Sequence, residues 1–226
     1  RHSEAASRSP MFGHADPNEV GQYALKIAKR LNAVIYDKHA IQKLHEVRAA
    51  GMLVYSLERY GCVYDDLVEL AGIGTAELVA NASCDPRLQA TKRGVMLCST
   101  LGQGTIYSQI VRLAEIICSV KRLSDSLLPE GILAHDTALK AWIHDRLGWV
   151  DSMSLLSSNS KVRPYASRAN KYLIDFDNRR VHIRKEIADR YRYGDSFEDV
   201  ELIPVLFELD DAAMPEVVGA YSGDFY

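Results

Sequence analysis

The stretch AAGMLVYSLERYGCVYDDLVELAG, residues 49–72, decides how the rest of the chain is read. Ile41, Leu44, Val47, Ala50, Met52, Leu53 and Leu57 recur at helical spacing, which predicts a helix over 39–60 that Gly61 ends. YDDLVELAG then reads as a short helix, with Asp65 and Asp66 in its first turn where the helix dipole favours acids. The carboxylate of Glu58 and the guanidinium of Arg59 stand side by side on the last turn of the first helix, as natural ion-pair partners.

Working outward, the helical pattern holds from Asp16 to Trp149. Asp16 reads as an N-cap and Pro17 as the first helical residue, followed by Val20, Tyr23, Ala24, Ile27 and Leu31 on one face. GTAELVANAS predicts a further helix, and DPRLQATKRGVMLCSTLG repeats the Asp-Pro opening at Asp85-Pro86. GTIYSQIVRLAEIICSVKRLSDSLL carries an unbroken stripe, Ile106, Ile110, Leu113, Ile117, Val120 and Leu123. HDTALKAWIHDRLGW closes the series, with Asp136 as its N-cap.

Past Trp149 the character changes. DSMSLLSSNSKVRP is Ser-rich and aperiodic, a linker over 151–166. KYLIDFDNRRVHIRKE alternates about Asp177-Asn178, predicting a β-hairpin with Tyr172, Ile174 and Phe176 against Val181 and Ile183. VELIPVLFEL reads as an edge strand containing Pro204, and an acidic, aromatic tail follows. The organisation expected is a flexible segment 1–13, a helical domain 14–150, the linker 151–166 and a β-containing extension 167–226.

Composition narrows the function classes. The chain has 226 residues, 47% apolar and 25% charged, with a formal net charge of −3. These values suit a globular protein with a real core and give no global electrostatic case for wrapping nucleic acid. No run of apolar residues is long enough to span a bilayer. Cys62, Cys84, Cys98 and Cys118 lack CxxC or CxxH spacing, so zinc knuckles and redox pairs are not expected, and reduced core thiols point to an intracellular protein. RHSEAASRSP has no apolar core of a secretory signal. It reads as an appended tag or as the remnant of a transit peptide, which leaves cytoplasm or an organelle such as the mitochondrion.

The pieces from 14 to 149 come in an order that resembles the HD-domain phosphohydrolases, in particular the small helical guanosine tetraphosphate hydrolases of the RelA/SpoT and Mesh1 type. GHADPNEVGQYALKIAKRL resembles that family's entry helix, and RAAGMLVYSLERYGCVYDDLVELAGIGTAELVANAS its His-Asp and Glu-Asp segment. TKRGVMLCSTLGQGTIYSQIVRLAEIICSVKRL resembles the segment carrying the last aspartate, and LPEGILAHDTALKAWI the turn and helix that follow. The resemblance implies a mainly α, HD-domain-like helical bundle, to which the β-containing extension is added. It also implies two His and two Asp holding a divalent metal, Mn²⁺ in the nucleotide hydrolases, beside a Glu-Asp pair that handles water and protons. Carried over position by position, the first ligand falls on His14 and the His-Asp doublet on Val54-Tyr55. The Glu-Asp pair falls on Glu58-Arg59, the final Asp on Glu115, and the Asn after it on Ser119.

Two of four ligands are thus replaced. Glu58 and Glu115 are the residual catalytic candidates and His14 the remaining metal candidate. The expectation is a catalytically inactive HD-like protein, without cofactor, serving as a structural or interaction subunit of a larger protein assembly. The alternatives are a Mn²⁺-type nucleotide phosphohydrolase with altered ligands and a non-catalytic sensor of a purine nucleotide.

Other candidates read as structural. His135-Asp136 and His144-Asp145 are His-Asp doublets without matching partners, and His39 and His45 fall on different faces of one helix. GIGTAELV and TLGQGTIYS put glycines before helices, a phosphate-binding arrangement, without the spacing of a nucleotide fingerprint. Arg179, Arg180, Arg184, Arg190 and Arg192, interleaved with Tyr191 and Tyr193, form a nucleic-acid candidate. A solvated face or protein contact is the favoured reading there.

Overall fold

A computed structural model describes residues 14–31, 38–85 and 87–192. All regular structure among them is helical: α1 Pro17–Leu31, α2 Lys38–Met52, α3 Ser56–Arg59, α4 Tyr64–Ala71, α5 Ile73–Ala82 and α6 Ala90–Gln103. These are followed by α7 Ile106–Ser126, α8 Pro129–Ala134, α9 Asp136–Ser152, α10 Ser154–Ser158 and α11 Arg163–Arg192. None of these helices is long and apolar enough to cross a membrane.

The expected stripe on α7 understates its burial. Val111, Ala114 and Ile116 are buried together with Ile110, Leu113, Ile117 and Val120, so every face of the middle of this helix is covered. A helix buried all round is the centre of a bundle. α1, α2, α5, α10 and α11 pack around it. Thr105 starts α7 by accepting the Ser108 backbone N–H at 3.2 Å, as an N-cap hydroxyl should.

α1 opens as its sequence predicts, with the Asp16 carboxylate accepting the Asn18 N–H at 2.7 Å. It crosses α2 where Gly21 meets Gly51: a methyl group on Gly51 would stand 2.8 Å from the Gly21 Cα and 3.1 Å from the Val20 carbonyl oxygen. Only two glycines allow backbones this close, and the close crossing carries His14 toward the end of α2.

The helix expected over 39–60 is interrupted. α2 ends at Met52 and α3 begins at Ser56, with residues 53–55 in a turn closed by the Ser56 N–H on the Leu53 carbonyl at 2.9 Å. The Ser83 hydroxyl donates to the Val54 carbonyl at 3.2 Å, satisfying a backbone group in the turn. The break lets Val54 and Tyr55, 0% and 3% exposed, both point inward. Gly61, at φ 69°, ends the segment as expected.

The predicted β-hairpin is a helix. Tyr172, Ile174, Phe176, Val181 and Ile183 all lie in α11. The side chains that α11 buries are Ala166, Ala169, Leu173, Phe176 and Arg180, spaced three and four apart, while Ile174 and Val181 are half-exposed. Helical periodicity therefore wins over the apparent alternation. Asp177, read as a turn residue, instead holds Arg180 one turn along at 2.9 Å.

The stretch expected as a linker is folded onto the bundle. Met153, Leu156 and Val162 are fully buried. Gln109 ties them in, donating to the Leu101 carbonyl at 2.7 Å and accepting the Leu156 N–H at 3.0 Å. Asp136, expected as an N-cap, is the first residue of α9 and serves as an ion-pair partner for Arg180, with Arg184 at 3.4 Å. The predicted strand around Pro204, the tail and residues 1–13 lie outside the described residues.

Candidate functional site

The positions carried over by resemblance converge on one buried place. His14 precedes α1, Tyr55 sits in the turn after α2, Glu58 is on α3, and Glu115 and Ser119 lie one turn apart on α7. The His14 ring meets the Tyr55 ring edge-on, with centroids 5.1 Å apart. The Tyr55 hydroxyl donates to Glu115 Oε1 at 3.3 Å, and the Ser119 hydroxyl donates to the same oxygen at 2.9 Å.

Glu58 is not paired with its neighbour Arg59. Its Oε1 accepts the Cys84 backbone N–H at 2.6 Å and Arg112 Nη1 at 3.1 Å. Arg59 lies instead over the Tyr55 ring, 5.3 Å from its centroid. Helix α7 brings Arg112 between the two carboxylates, its Nε 3.7 Å from Glu115 Oε2, an ion pair too long for a hydrogen bond. Arg112 is 2% exposed and stacks over Trp149 at 4.3 Å. Arg146 of α9 packs between Trp142 at 3.8 Å and Trp149 at 4.8 Å, donating Nη1 to the Trp142 carbonyl at 3.2 Å.

Two guanidinium groups and two carboxylates thus share one low-dielectric space. Burial opposes the charge on Arg112, but Glu58 and Glu115 outweigh it and hold the guanidinium charged. Burial likewise raises the Glu115 pKa, yet Arg112, Arg146 and the Ser119 hydrogen bond bring it below its ordinary value. Burial, joined by the Arg112 charge, pulls Arg146 down to about 10 against the opposing pull of Glu115. Burial and then the Arg59 charge lower His14 to about 4, so its imidazole is neutral near pH 7. Burial followed by the Glu115 charge raises the Tyr55 pKa, and the phenol keeps its proton.

This donor set does not fit a divalent metal. A carboxylate and a neutral imidazole remain, but Val54 offers an apolar side chain where a His would ligate, and Tyr55 offers a protonated phenol where an Asp would. Arg112 already supplies a positive charge to both Glu115 and Glu58. Among the described residues no three His, Cys, Asp or Glu side chains are grouped as a metal would require.

The other candidates lie elsewhere. Asp136 anchors Arg180 and Arg184, His144 is exposed on α9, and His39 and His45 are exposed on α2. At the start of α5 the Glu46 carboxylate stands where a Gly74 side chain would be, 2.6 Å from that position, so this helix end already faces an anion. Thr105 caps the other glycine-preceded helix. Arg179 donates to the carbonyls of Ser124 and Leu127 at the end of α7, and Arg180 holds Asp136 and Asp177. These arginines dock α11 onto the bundle; Arg190 and Arg192 belong to its last turn.

Sequence reasoning missed Arg112, Arg146 and Trp149. The signal for the first was present: Arg112 and Glu115, opposite charges three apart, stand in the middle of the apolar stripe from Ile106 to Leu123.

No protein-family model and no curated protein matches the sequence. Among solved structures, lmo0812 from Listeria monocytogenes EGD-e aligns with 71% of this chain and 94% of its own at 14% identity and a TM-score of 0.53. A structure described as a metazoan ortholog of SpoT that hydrolyzes ppGpp aligns with 70% of this chain and 85% of its own, at 15% identity and a TM-score of 0.47. Similarity at the first of these levels is similarity of fold. With the matched positions gathered at one buried place, the resemblance to HD-domain proteins holds for the scaffold.

Proposed function

We propose that this chain is a catalytically inactive HD-fold protein that serves as a structural or protein-interaction subunit of a larger assembly. The observation that carries this reading is Arg112 between Glu58 and Glu115. In a metal-dependent hydrolase a cation at that place activates water and offsets the charge growing on phosphate. Here a side chain supplies the positive charge, and a guanidinium neither binds water as a Lewis acid nor opens a coordination position. Tyr55 and Val54 are buried at the positions of the doublet.

The interaction role is supported by the surface beside the lost site. Tyr60, Val63, Leu70 and Ile73, between the end of α3 and the start of α5, are all more than half exposed. Apolar side chains concentrated in this way mark contact surfaces more often than scattered ones do.

Two measurements test the reading. The purified chain is assayed for bound metal and for hydrolysis of guanosine tetraphosphate and deoxynucleoside triphosphates with added Mn²⁺. Neither metal at stoichiometry nor turnover is expected. Stoichiometric metal with turnover abolished by Glu58→Ala sinks the proposal. In parallel, the tagged chain is recovered from its source cells by size exclusion and crosslinking. A stable complex lost on Leu70→Glu is expected, whereas a chain that runs as a free monomer removes the subunit role.

A further inference from the structure

At the end of α1 opposite His14, the surface carries a second polar feature. A cavity of about 460 Å³ opens between the end of α1 and the turn that leads from α10 into α11. Its walls are Arg30, Ser160, Lys161, Pro164, Tyr165 and Arg168. Three of the six are cations and none is an acid. Among the described residues, neither Arg30 nor Lys161 has a carboxylate within ion-pair distance. Among the described residues Lys161 Nζ makes one long hydrogen bond, 3.5 Å, to the Leu31 carbonyl at the end of α1.

The aromatic wall is held in place. Tyr165 meets Tyr23 of α1 edge-on, with centroids 6.3 Å apart, and Arg168 lies over the Tyr165 ring at 5.7 Å. A hydrogen bond to Tyr23 raises the Arg168 pKa, which keeps that guanidinium charged and oriented. Lys26 lies over the Tyr23 ring at 5.8 Å, extending the positive field along α1.

Three cations lining one cavity suit an anion with several oxygens, and guanidinium groups match the oxygens of phosphate. An aromatic wall beside them favours a ring on the same ligand. The volume falls within the range for one small organic molecule and is too small for a protein segment with its side chains. The geometry points to a binding site for a phosphorylated nucleoside in the groove between α1 and α11, with Arg30, Lys161 and Arg168 on the phosphates and Tyr165 beside the base. The site shares no residue with the buried cluster, and its existence does not rest on whether that cluster is inactive.

The full chain is titrated calorimetrically at low salt with GDP, ADP, pyrophosphate and a ten-nucleotide single-stranded oligothymidylate. GDP or ADP binding that weakens as salt is raised is expected, since the contacts are ionic. Lys161→Gln with Arg168→Gln lowers nucleotide affinity by about tenfold or more. Tyr165→Ala weakens the nucleotides by about fivefold or more while leaving pyrophosphate unchanged, because only the base loses its partner. Unchanged circular dichroism and melting temperature in the surface variants show that the fold persists. Lys171→Gln, which removes an exposed cation of α11 outside the cavity, leaves binding unchanged, so the effect belongs to the cavity and not to the charge of the helix. Absence of binding up to about millimolar ligand overturns the proposal, as does an unaltered affinity in the double variant. Oligothymidylate bound more than about tenfold tighter than ADP overturns it in favour of a nucleic-acid surface.

Discussion

Arg112 and Glu58, 54 residues apart in sequence, meet at 3.1 Å inside the bundle, and the same guanidinium faces Glu115 from its own helix. One cation is thereby shared by two carboxylates drawn from separate helices. Removing it takes the paired cation from Glu58 and leaves Glu115 with Arg146 alone. Arg112→Met is expected to cost about 3–5 kcal/mol of stability, the usual consequence of breaking a buried pair by deleting one partner. Urea unfolding followed by circular dichroism measures it. Glu58→Leu combined with Arg112→Met should recover most of the loss, because Glu115 keeps the nearby Arg146 charge and no second buried acid is left unpaired.

Tyr55 tests the same cluster from the side of its hydroxyl. Tyr55→Phe keeps the ring against His14 and removes the hydrogen bond to Glu115. Among the described residues Glu115 then keeps Ser119 as its hydrogen-bond donor, so a loss of about 1–2 kcal/mol is expected. A variant as stable as the parent would mean that water replaces the phenol and that the site is wetter than its burial implies.

Acid should weaken the fold through His14. Its folded pKa, about 4, is below the ordinary value of 6.5, so between these pH values the unfolded chain binds a proton that the folded chain refuses. Stability therefore falls as pH drops from 6.5 toward 4 and is fully retained above 6.5. Glu115, whose folded pKa is depressed, adds a loss at lower pH, as the carboxylate protonates. Urea midpoints at pH 7 and pH 5 should differ in the parent. In His14→Phe, which keeps a ring against Tyr55, the contribution of this histidine to the difference disappears.

The glycine crossing sets how near His14 comes to Tyr55. Gly51→Ala raises intrinsic helix propensity, yet its methyl group must enter space held by Gly21 backbone. Overpacking of this kind costs about 1–3 kcal/mol, more than propensity returns. Thermal melting of Gly51→Ala checks the sign: a stabilised variant would show that α1 can slide on α2 without cost.

Phe176→Ala asks whether α11 belongs to the same folding unit as the bundle. Phe176 is 2% exposed in a region whose sequence reads as a separate β-extension. A cavity of that size costs about 3–5 kcal/mol if the helix unfolds with the core. A single shifted transition is expected; an unchanged main transition would make α11 an independent appendage.

Much of the scaffold was legible from residue spacing alone. Asp16-Pro17 opens α1 and Ile106 to Leu123 mark α7, because caps and apolar periodicity are local properties of a chain. The hairpin failed for an equally local reason. Tyr172, Ile174 and Phe176 alternate over five residues, a window too short to separate a period of two from one of 3.6. Only the neighbours of α11 show that Leu173 and Phe176 face inward and Ile174 outward. The linker failed because serine-rich composition hides Met153, Leu156 and Val162, whose burial depends on Gln109 reaching across from α7.

At the stretch 49–72, the resemblance read from the sequence puts Val54 and Tyr55 where a metal-binding doublet would stand, on a helix that the structure breaks into a turn there, and keeps Glu58 beside them. Sequence by itself paired Glu58 with Arg59, the nearest charge along the chain. Tertiary structure decided otherwise: α7 delivers Arg112 to Glu58, and Arg59 turns to the Tyr55 ring. Adjacent side chains point in different directions from their helix, whereas a guanidinium on a packed neighbouring helix can be aimed straight at a buried carboxylate. Burial strengthens that attraction, and it exists only once the helices are in contact.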